Sequence, residues 1–111
     1  MAKTEYNNEL DSLYIYSGLN EEVIGSISAG DLIFDIGQSG KLVGVEVENA
    51  SELLQLKPSK FEEIERAKVG VEKRGNMIFL MFRFQLAPNI IIKQDFWLNN
   101  PRLLKSQAIS S

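Results

Sequence analysis

The sequence predicts an α+β fold dominated by antiparallel strands, a meander of hairpins with about six or seven strands and one to three short helices. Two stretches of alternating apolar and polar residues, each interrupted by a turn-forming pair, predict two hairpins. Between them lie two helix-start signals, each followed by only a few apolar residues. The chain has 111 residues, of which 44% are hydrophobic and 24% charged, so we expect one small soluble domain over residues 1–111.

The first predicted hairpin extends from Asp31 to Val47 around the pair Ser39-Gly40. A two-residue turn at this pair gives one face that is entirely apolar. Three pairs share that face: Ile36 with Val43, Phe34 with Val45, and Leu32 with Val47. A three-residue loop would instead oppose Phe34 to Gly44 and mix polar with apolar positions, so we predict the two-residue turn.

The second predicted hairpin joins residues 67–74 to residues 77–86 through Gly75-Asn76, with glycine first as a type II′ turn prefers. Closing Arg74 on Met77 again gives one apolar face. Its pairs are Val71 with Leu80, Val69 with Phe82, and Ala67 with Phe84. After a turn at Pro88-Asn89, a final strand is predicted from Ile90 to Leu98.

Two shorter strands, residues 12–16 and 23–28, precede the first hairpin and predict a four-stranded meander together with it. After that hairpin, Asn49 stands three residues before Glu52, which predicts a capped helix through Leu56. Pro58 interrupts the pattern, and a second helical turn is predicted from Ser59 to about Glu65.

A short terminal helix is also predicted, because Asn100 and Pro101 suit an N-cap and a first helical position. It would continue through Leu103 and Leu104.

The composition excludes several classes of site. The chain contains neither cysteine nor histidine, which excludes thiolate chemistry, classical structural zinc sites and histidine-based catalysis within it. The formal net charge is −3, so the whole molecule has no bulk attraction for nucleic acid or anionic lipid. The longest apolar run, Met77 to Phe82, is too short to cross a bilayer. We therefore expect a cytoplasmic, non-enzymatic protein without a cofactor or a membrane partner.

Residues 6–56 resemble a known family. The resemblance rests on Asp11-Ser-Leu-Tyr-Ile15, on the strand from Leu32 to Gln38 and its return through Val43-Gly-Val-Glu46, and on the helix start at Asn49-Ala-Ser51. This pattern is similar to the domain of unknown function 2283. The resemblance implies a hairpin and a cap rather than a chemical site, and residues 57–111 are an addition to it. Some short members look like antitoxin-type neighbours of small toxin-like proteins, which implies protein binding.

Asp35 and Glu46 are candidate metal ligands on the polar side of the first hairpin, opposite Phe34 and Val45. The predicted register makes the two carboxylates diagonal neighbours, with Gly44 leaving space beside Asp35. Two carboxylates at that distance suit a hard cation such as calcium or magnesium, although such a cation normally needs a third ligand. The alternative interpretation is an ordinary solvated polar face.

The second hairpin carries a candidate nucleic-acid surface formed by Lys68, Lys73, Arg74 and Arg83, together with Phe79. Basic and aromatic side chains on one face suit phosphate contact and base stacking. Lys68 directly opposite Arg83 is destabilising by about 0.2–1 kcal/mol. Glu72, on the same face, is predicted to relieve this repulsion.

Phe79 and Met81 lie on the outer side of the second hairpin and need a cover of their own. That cover is either a homodimer interface or, within the monomer, residues 90–98 or the terminal helix. Trp97 is expected in the core or in an interface. The function that we predict first is self-association or protein binding through apolar strand faces. The alternative is a nucleic-acid-binding or divalent-cation-binding module, of which nucleic-acid binding is disfavoured by the net charge.

Overall fold

The computed structural model describes residues 3–87 and 89–98, and this part of the chain forms two antiparallel sheets. The first sheet comprises β1 (Thr4–Asn7), β2 (Ser12–Tyr16), β3 (Val23–Ala29), β4 (Leu32–Gly37) and β5 (Leu42–Val47). Two helices follow, α1 (Ala50–Leu53) and α2 (Pro58–Phe61), and then a second sheet of β6 (Ile64–Arg74), β7 (Met77–Leu86) and β8 (Ile90–Leu98). The predicted fold class is confirmed, with β1 as the unpredicted strand. The predicted terminal helix from Asn100, and Pro88 of the predicted Pro88-Asn89 turn, lie outside the described residues.

The strand order of the first sheet is β1-β2-β5-β4-β3, so the predicted four-stranded meander is wrong. Strand β2 does not pair with β3 but crosses to β5, where Leu13 opposes Val47 and Ile15 opposes Val45. This pairing places fully buried apolar residues of the two strands beside each other in the core. Strand β3, which is largely exposed, forms an edge of the sheet.

The first hairpin keeps its predicted core face but not its predicted turn. Phe34 opposes Val45 and Leu32 opposes Val47, as predicted. The loop, however, has three residues: the amide of Gly40, at φ 84°, donates to the Gly37 carbonyl at 3.0 Å. A bulge then shifts the register, so that Ile36 opposes Leu42 instead of Val43. The bulge restores the apolar pairing that a three-residue loop alone would have destroyed.

The second hairpin has the predicted register throughout, from Arg74 opposite Met77 to Ala67 opposite Phe84. Gly75 adopts a φ of 58°, which the first position of a type II′ turn requires. The predicted second helical turn is present as α2, but it ends at Phe61 and not at about Glu65, because strand β6 begins at Ile64. A bulge between Ile64 and Arg66 lets both Ile64 and Ala67 face the core, which a regular strand with its period of two would not allow.

Helix α1 is capped from another part of the chain. Asn49 occupies the N-cap position but makes no cap hydrogen bond with its side chain, so the predicted capping box is wrong. Instead, the Asp11 carboxylate accepts hydrogen bonds from the Ser51 hydroxyl at 2.6 Å and the Ser51 amide at 3.1 Å. The Tyr6 hydroxyl also donates to Asp11 at 2.6 Å. Helix α2 begins with Pro58 at its first turn and likewise has no side-chain cap, so the Ser59 signal is not used.

The environment of Asp11 changes its titration and that of Tyr6. Burial raises the pKa of Asp11, but the hydrogen bonds from Ser51 and Tyr6 outweigh it, and the pKa lies below its ordinary value. Burial and the bond to Asp11 raise the pKa of Tyr6 to about 12. Because the folded pKa of Asp11 is depressed, its ionised form stabilises the fold above about pH 4. This contribution is lost as the pH falls through the folded pKa.

Asp11→Asn is expected to lower the free energy of unfolding by about 1–3 kcal/mol. The new amide NH₂ group is a hydrogen-bond donor, and it would face groups of Ser51 and Tyr6 that are donors themselves. Urea denaturation at pH 7 and pH 3 measures the effect, which should shrink at the lower pH. The matched control is Asn49→Gly, which keeps the left-handed backbone and removes a side chain that makes no cap bond and only an exposed 3.4 Å hydrogen bond to Asp31. Equal losses in the two variants would contradict the cap at Asp11.

One hydrophobic cluster joins both sheets and both helices. Phe34 from the first sheet and Phe82 and Phe84 from the second are fully buried in it, and Phe61 of α2 is nearly so. The Gln94 amide donates to the Leu54 carbonyl at 3.0 Å, which ties β8 to the end of α1. Among the described residues no helix is long and apolar enough to cross a membrane.

Candidate nucleic-acid interface

The second sheet directs alternate residues to the core and to the surface. Along β7 every second residue is buried, beginning with Ile78, and the residues between them are only partly covered. We call the surface side of this sheet the outer face. The backbone register divides it into rows that cross β6, β7 and β8. Successive rows are about 6.7 Å apart, because each strand residue rises about 3.3 Å.

The cation row contains Lys68, Arg83 and Lys93, which lie side by side on the three strands. Arg83 Nη1 donates to Asp95 Oδ1 at 2.6 Å and to the Phe82 carbonyl at 2.9 Å. Asp95, and not Glu72 as predicted, therefore relieves the repulsion between Lys68 and Arg83. Within residues 3–87 and 89–98, neither Lys68 nor Lys93 forms an ion pair.

The aromatic row lies two rows away and contains Glu72, Phe79 and Trp97. The ring centroids of Phe79 and Trp97 are 4.4 Å apart, and the indole is 50% exposed, so Trp97 is not a core residue. The Arg74 guanidinium lies 5.7 Å from the Phe79 ring centroid and 6.0 Å from that of Trp97. Arg74 also pairs with Glu72 at 3.0 Å.

The row between them contains Gly70, Met81 and Asp95. The Met81 side chain crosses Gly70, where a β-carbon would meet the Met81 methyl group. Met81 is partly covered in this way, as is Phe79 by Trp97 of β8. Both predicted interface residues therefore lie on the outer face, each in contact with a neighbour there. Whether a second molecule covers them stays a prediction.

A final row contains Arg66, Gln85 and Ile91, and a shallow hollow of about 510 Å³ lies between this row and the cation row. Arg66 forms no ion pair among the described residues. A second hollow of about 490 Å³ lies on the other side of the Lys68–Arg83 pair, beside Met81. The two opposed cations thus stand between two surface depressions.

Of the basic residues predicted for this surface, Lys68 and Arg83 lie side by side, and Arg74 lies on the same face three rows, or about 20 Å, away. Lys73 lies in β6 opposite Ile78 in the backbone register. Sequence reasoning missed other members of the face, which are Arg66, Lys93, Asp95 and Trp97. The odd-numbered residues of β8 share one face, which was a usable signal for Lys93, Asp95 and Trp97. The register of β8 on β7, however, depends on the connection that contains Pro88.

The other sequence-predicted site, at Asp35 and Glu46, lies on the surface side of the first sheet. The two residues are diagonal neighbours, as predicted, since Asp35 opposes Gly44 and Glu46 opposes Ile33. Both oxygens of Asp35 accept hydroxyl hydrogen bonds of 2.6 Å, one from Tyr14 and one from Ser26. No group of three or more acidic side chains suited to a metal ion occurs among the described residues. The cation site therefore stays a prediction, and no third carboxylate joins it within the described part of the chain.

The predicted space beside Gly44 is filled by Tyr14. A β-carbon at position 44 would overlap the phenol ring, which lies directly on the glycine. Burial, together with the hydrogen bond to Asp35, raises the pKa of Tyr14 well above its usual range. The Tyr14 hydroxyl therefore keeps its proton at neutral pH and donates a hydrogen bond to Asp35 on this sheet.

The first sheet and the start of α1 lie in a segment that matches a protein family. Residues 3–51 match the family described as protein of unknown function (DUF2283). The predicted resemblance is confirmed over this segment. No curated protein and no solved structure is significantly similar to the chain. The DUF2283 segment contains both partners of the Asp11–Ser51 cap, whereas the outer face lies entirely in the following part of the chain.

Proposed function

We propose that this protein binds single-stranded nucleic acid on the outer face of the second sheet. The observation that carries the proposal is that the exposed Trp97, packed on the partly covered Phe79, shares one sheet face with a row of cations. Phe79 and Trp97 offer ring surface for stacking bases, which is worth about 1–3 kcal/mol per base. Lys68 and Lys93 offer ammonium groups without carboxylate partners among the described residues.

The charge of the outer face differs in sign from that of the whole chain. Five cations, Arg66, Lys68, Arg74, Arg83 and Lys93, share the face with three carboxylates, Glu72, Asp95 and the exposed Glu65 at the bulge beside Arg66. This gives a formal charge of +2, against −3 for the chain. The net charge, which disfavoured nucleic acid in the sequence prediction, therefore does not describe the surface that a polyanion would meet.

The size of the face also supports a small extended ligand. Three strands about 4.8 Å apart and about eight residues long give a projected area of roughly 400 Å². A standard protein interface buries about 800 Å² of accessible surface on each partner, so self-association would have to use the whole face. A short single strand needs less, since one binding domain can accommodate as few as about four nucleotides. Self-association stays a prediction, and it is a distinct outcome of the experiment below.

The direct test uses labelled ten-nucleotide RNA and DNA strands, with binding followed by fluorescence anisotropy at several salt concentrations. Trp97 is the single tryptophan of the chain, so its emission reports stacking without any label on the protein. We expect saturable binding with a change in Trp97 emission. Three phosphate contacts predict a slope of about −2 for the logarithm of the affinity against that of salt. No anisotropy change at low salt, or binding with unchanged Trp97 emission, would contradict the proposal.

Two variants separate stacking from general effects. Trp97→Ala should weaken binding about 5- to 150-fold, corresponding to the loss of one stacked base. The control, Tyr16→Ala, removes a partly exposed aromatic residue of the first sheet and should bind as the wild type does. Sedimentation of both variants and the wild type tests self-association. A wild-type dimer that Trp97→Ala dissociates, combined with no binding of either nucleic acid, would replace the proposal by self-association.

A further inference from the structure

We infer that the hollow between Arg66 and the cation row selects a guanine base, an inference that rests on the proposed function. The hollow adjoins the Lys68–Arg83 pair, which would hold the phosphate. Its remaining surface comes mainly from the row of Arg66, Gln85 and Ile91. A phosphate position and a base position therefore lie one row apart, at about 6.7 Å.

The lining of the hollow matches a flat base with a polar edge. Ile91 is 62% exposed and presents apolar surface on β8, while the Gln85 amide stands in the middle of the row on β7. Arg66 lies directly opposite Gln85 on β6. The apolar and polar parts of the row are therefore separated, with the polar groups together at the β6 side.

The chemistry of Arg66 decides between the bases. A guanidinium carries five N–H donors and no acceptor, so it favours an edge with two neighbouring acceptors. Guanine presents O6 and N7 side by side, whereas adenine presents N7 beside the N6 donor, and uracil has the N3 donor between its O2 and O4 acceptors. Cytosine also presents two neighbouring acceptors, O2 and N3, but its single ring covers less of the apolar surface of Ile91 than a purine does. Because Arg66 has no carboxylate partner among the described residues, no ion pair has to be broken before it binds a base.

The experiment compares four ten-nucleotide RNA strands by fluorescence anisotropy with the full chain: uridine throughout, and the same strand with one central guanosine, adenosine or cytidine. We expect the guanosine strand to bind at least about fivefold more tightly than the uridine strand, the lower end for a bidentate arginine contact. The adenosine strand should bind like the uridine strand, and the cytidine strand should bind less tightly than the guanosine strand. Guanosine monophosphate should displace the labelled guanosine strand at lower concentration than adenosine monophosphate does.

Arg66→Met removes all the donors of the guanidinium and keeps an unbranched side chain. The lost charge weakens both strands alike, so the ratio of guanosine-strand to uridine-strand affinity should fall to about one. The control is Lys57→Met, which removes one charge in the loop before α2 and should leave that ratio unchanged. Equal affinity of the wild type for all four strands would overturn the guanine inference and leave the proposed function standing. Failure of all four strands to bind would refute the proposed function itself. A preference that survives Arg66→Met would also overturn the assignment to Arg66.

Discussion

Replacing Lys68 and Lys93 together by glutamate is expected to weaken binding of single-stranded nucleic acid by at least about a hundredfold at low salt. The two changes remove two ammonium groups that would bind phosphate. They also place a negative charge on either side of Arg83, and these charges repel phosphate. Each charge pair at contact distance is worth about 1 kcal/mol even in water. Four units of charge change on the cation row therefore exceed the 2.7 kcal/mol or so that a hundredfold loss requires. The loss should diminish as salt screens the face.

This double variant leaves the fold intact in our expectation, because Lys68 and Lys93 make no ion pair among the described residues and glutamate beside Arg83 replaces a repulsion by an attraction. The matched control is Lys57→Glu with Lys60→Glu, which changes the net charge equally at residues that do not belong to the outer face. Anisotropy titrations compare the two, and circular dichroism checks that both fold. Equal weakening in both double variants would show an effect of net charge alone and would count against the outer face as the binding surface.

Gly44→Ala is expected to lower the free energy of unfolding by about 1–3 kcal/mol, the usual cost of overpacking a closely packed position. The added methyl would overlap the Tyr14 ring. If the ring moves away, its hydroxyl leaves Asp35, and the 2.6 Å hydrogen bond is lost as well. The fold thus loses either good packing or a charge-assisted hydrogen bond, whichever response is less costly.

Another strand glycine provides the control for this substitution. A β-carbon added at Gly25 of β3 would meet no heavy atom within 4 Å, so Gly25→Ala should be neutral or stabilising by up to about 1 kcal/mol. Urea denaturation of both variants gives the comparison, and Tyr14→Phe measures the hydrogen-bond part separately. If Gly44→Ala is as stable as Gly25→Ala, the close contact between Tyr14 and Gly44 does not constrain the fold.

The hairpin registers were predictable because alternation over many residues leaves one arrangement with an unmixed apolar face. That argument places Phe34 opposite Val45 and Val69 opposite Phe82, as the structure has them. It does not predict the bulge near Val43, because the longer loop and the bulge shift the register in opposite directions and leave the other pairs unchanged. Nor does it predict that β2 pairs with β5, because alternation within a strand says which face is apolar and not which strand lies beside it.

The candidate interface was predictable to the same extent. Lys68, Phe79 and Arg83 share a hairpin with a short turn, so the local sequence fixes their common face. Lys93 and Trp97 reach the face only through the register of β8 on β7, across the connection that contains Pro88. The cap at Asp11 was beyond prediction for a similar reason, because its partner Ser51 lies 40 residues away along the chain.

The crossing of β2 to β5 also bears on the order in which the chain can fold. Strands β3, β4 and β5 are neighbours both in sequence and in the sheet, so their pairing closes only short loops. Strand β2 must then bridge two intervening strands, which costs more chain entropy before any contact is gained. We therefore expect β2 to join after the three-stranded meander has formed. The hydrogen bonds between Asp11 and Ser51 would then be among the last to form, holding the late strand in place on a preformed surface.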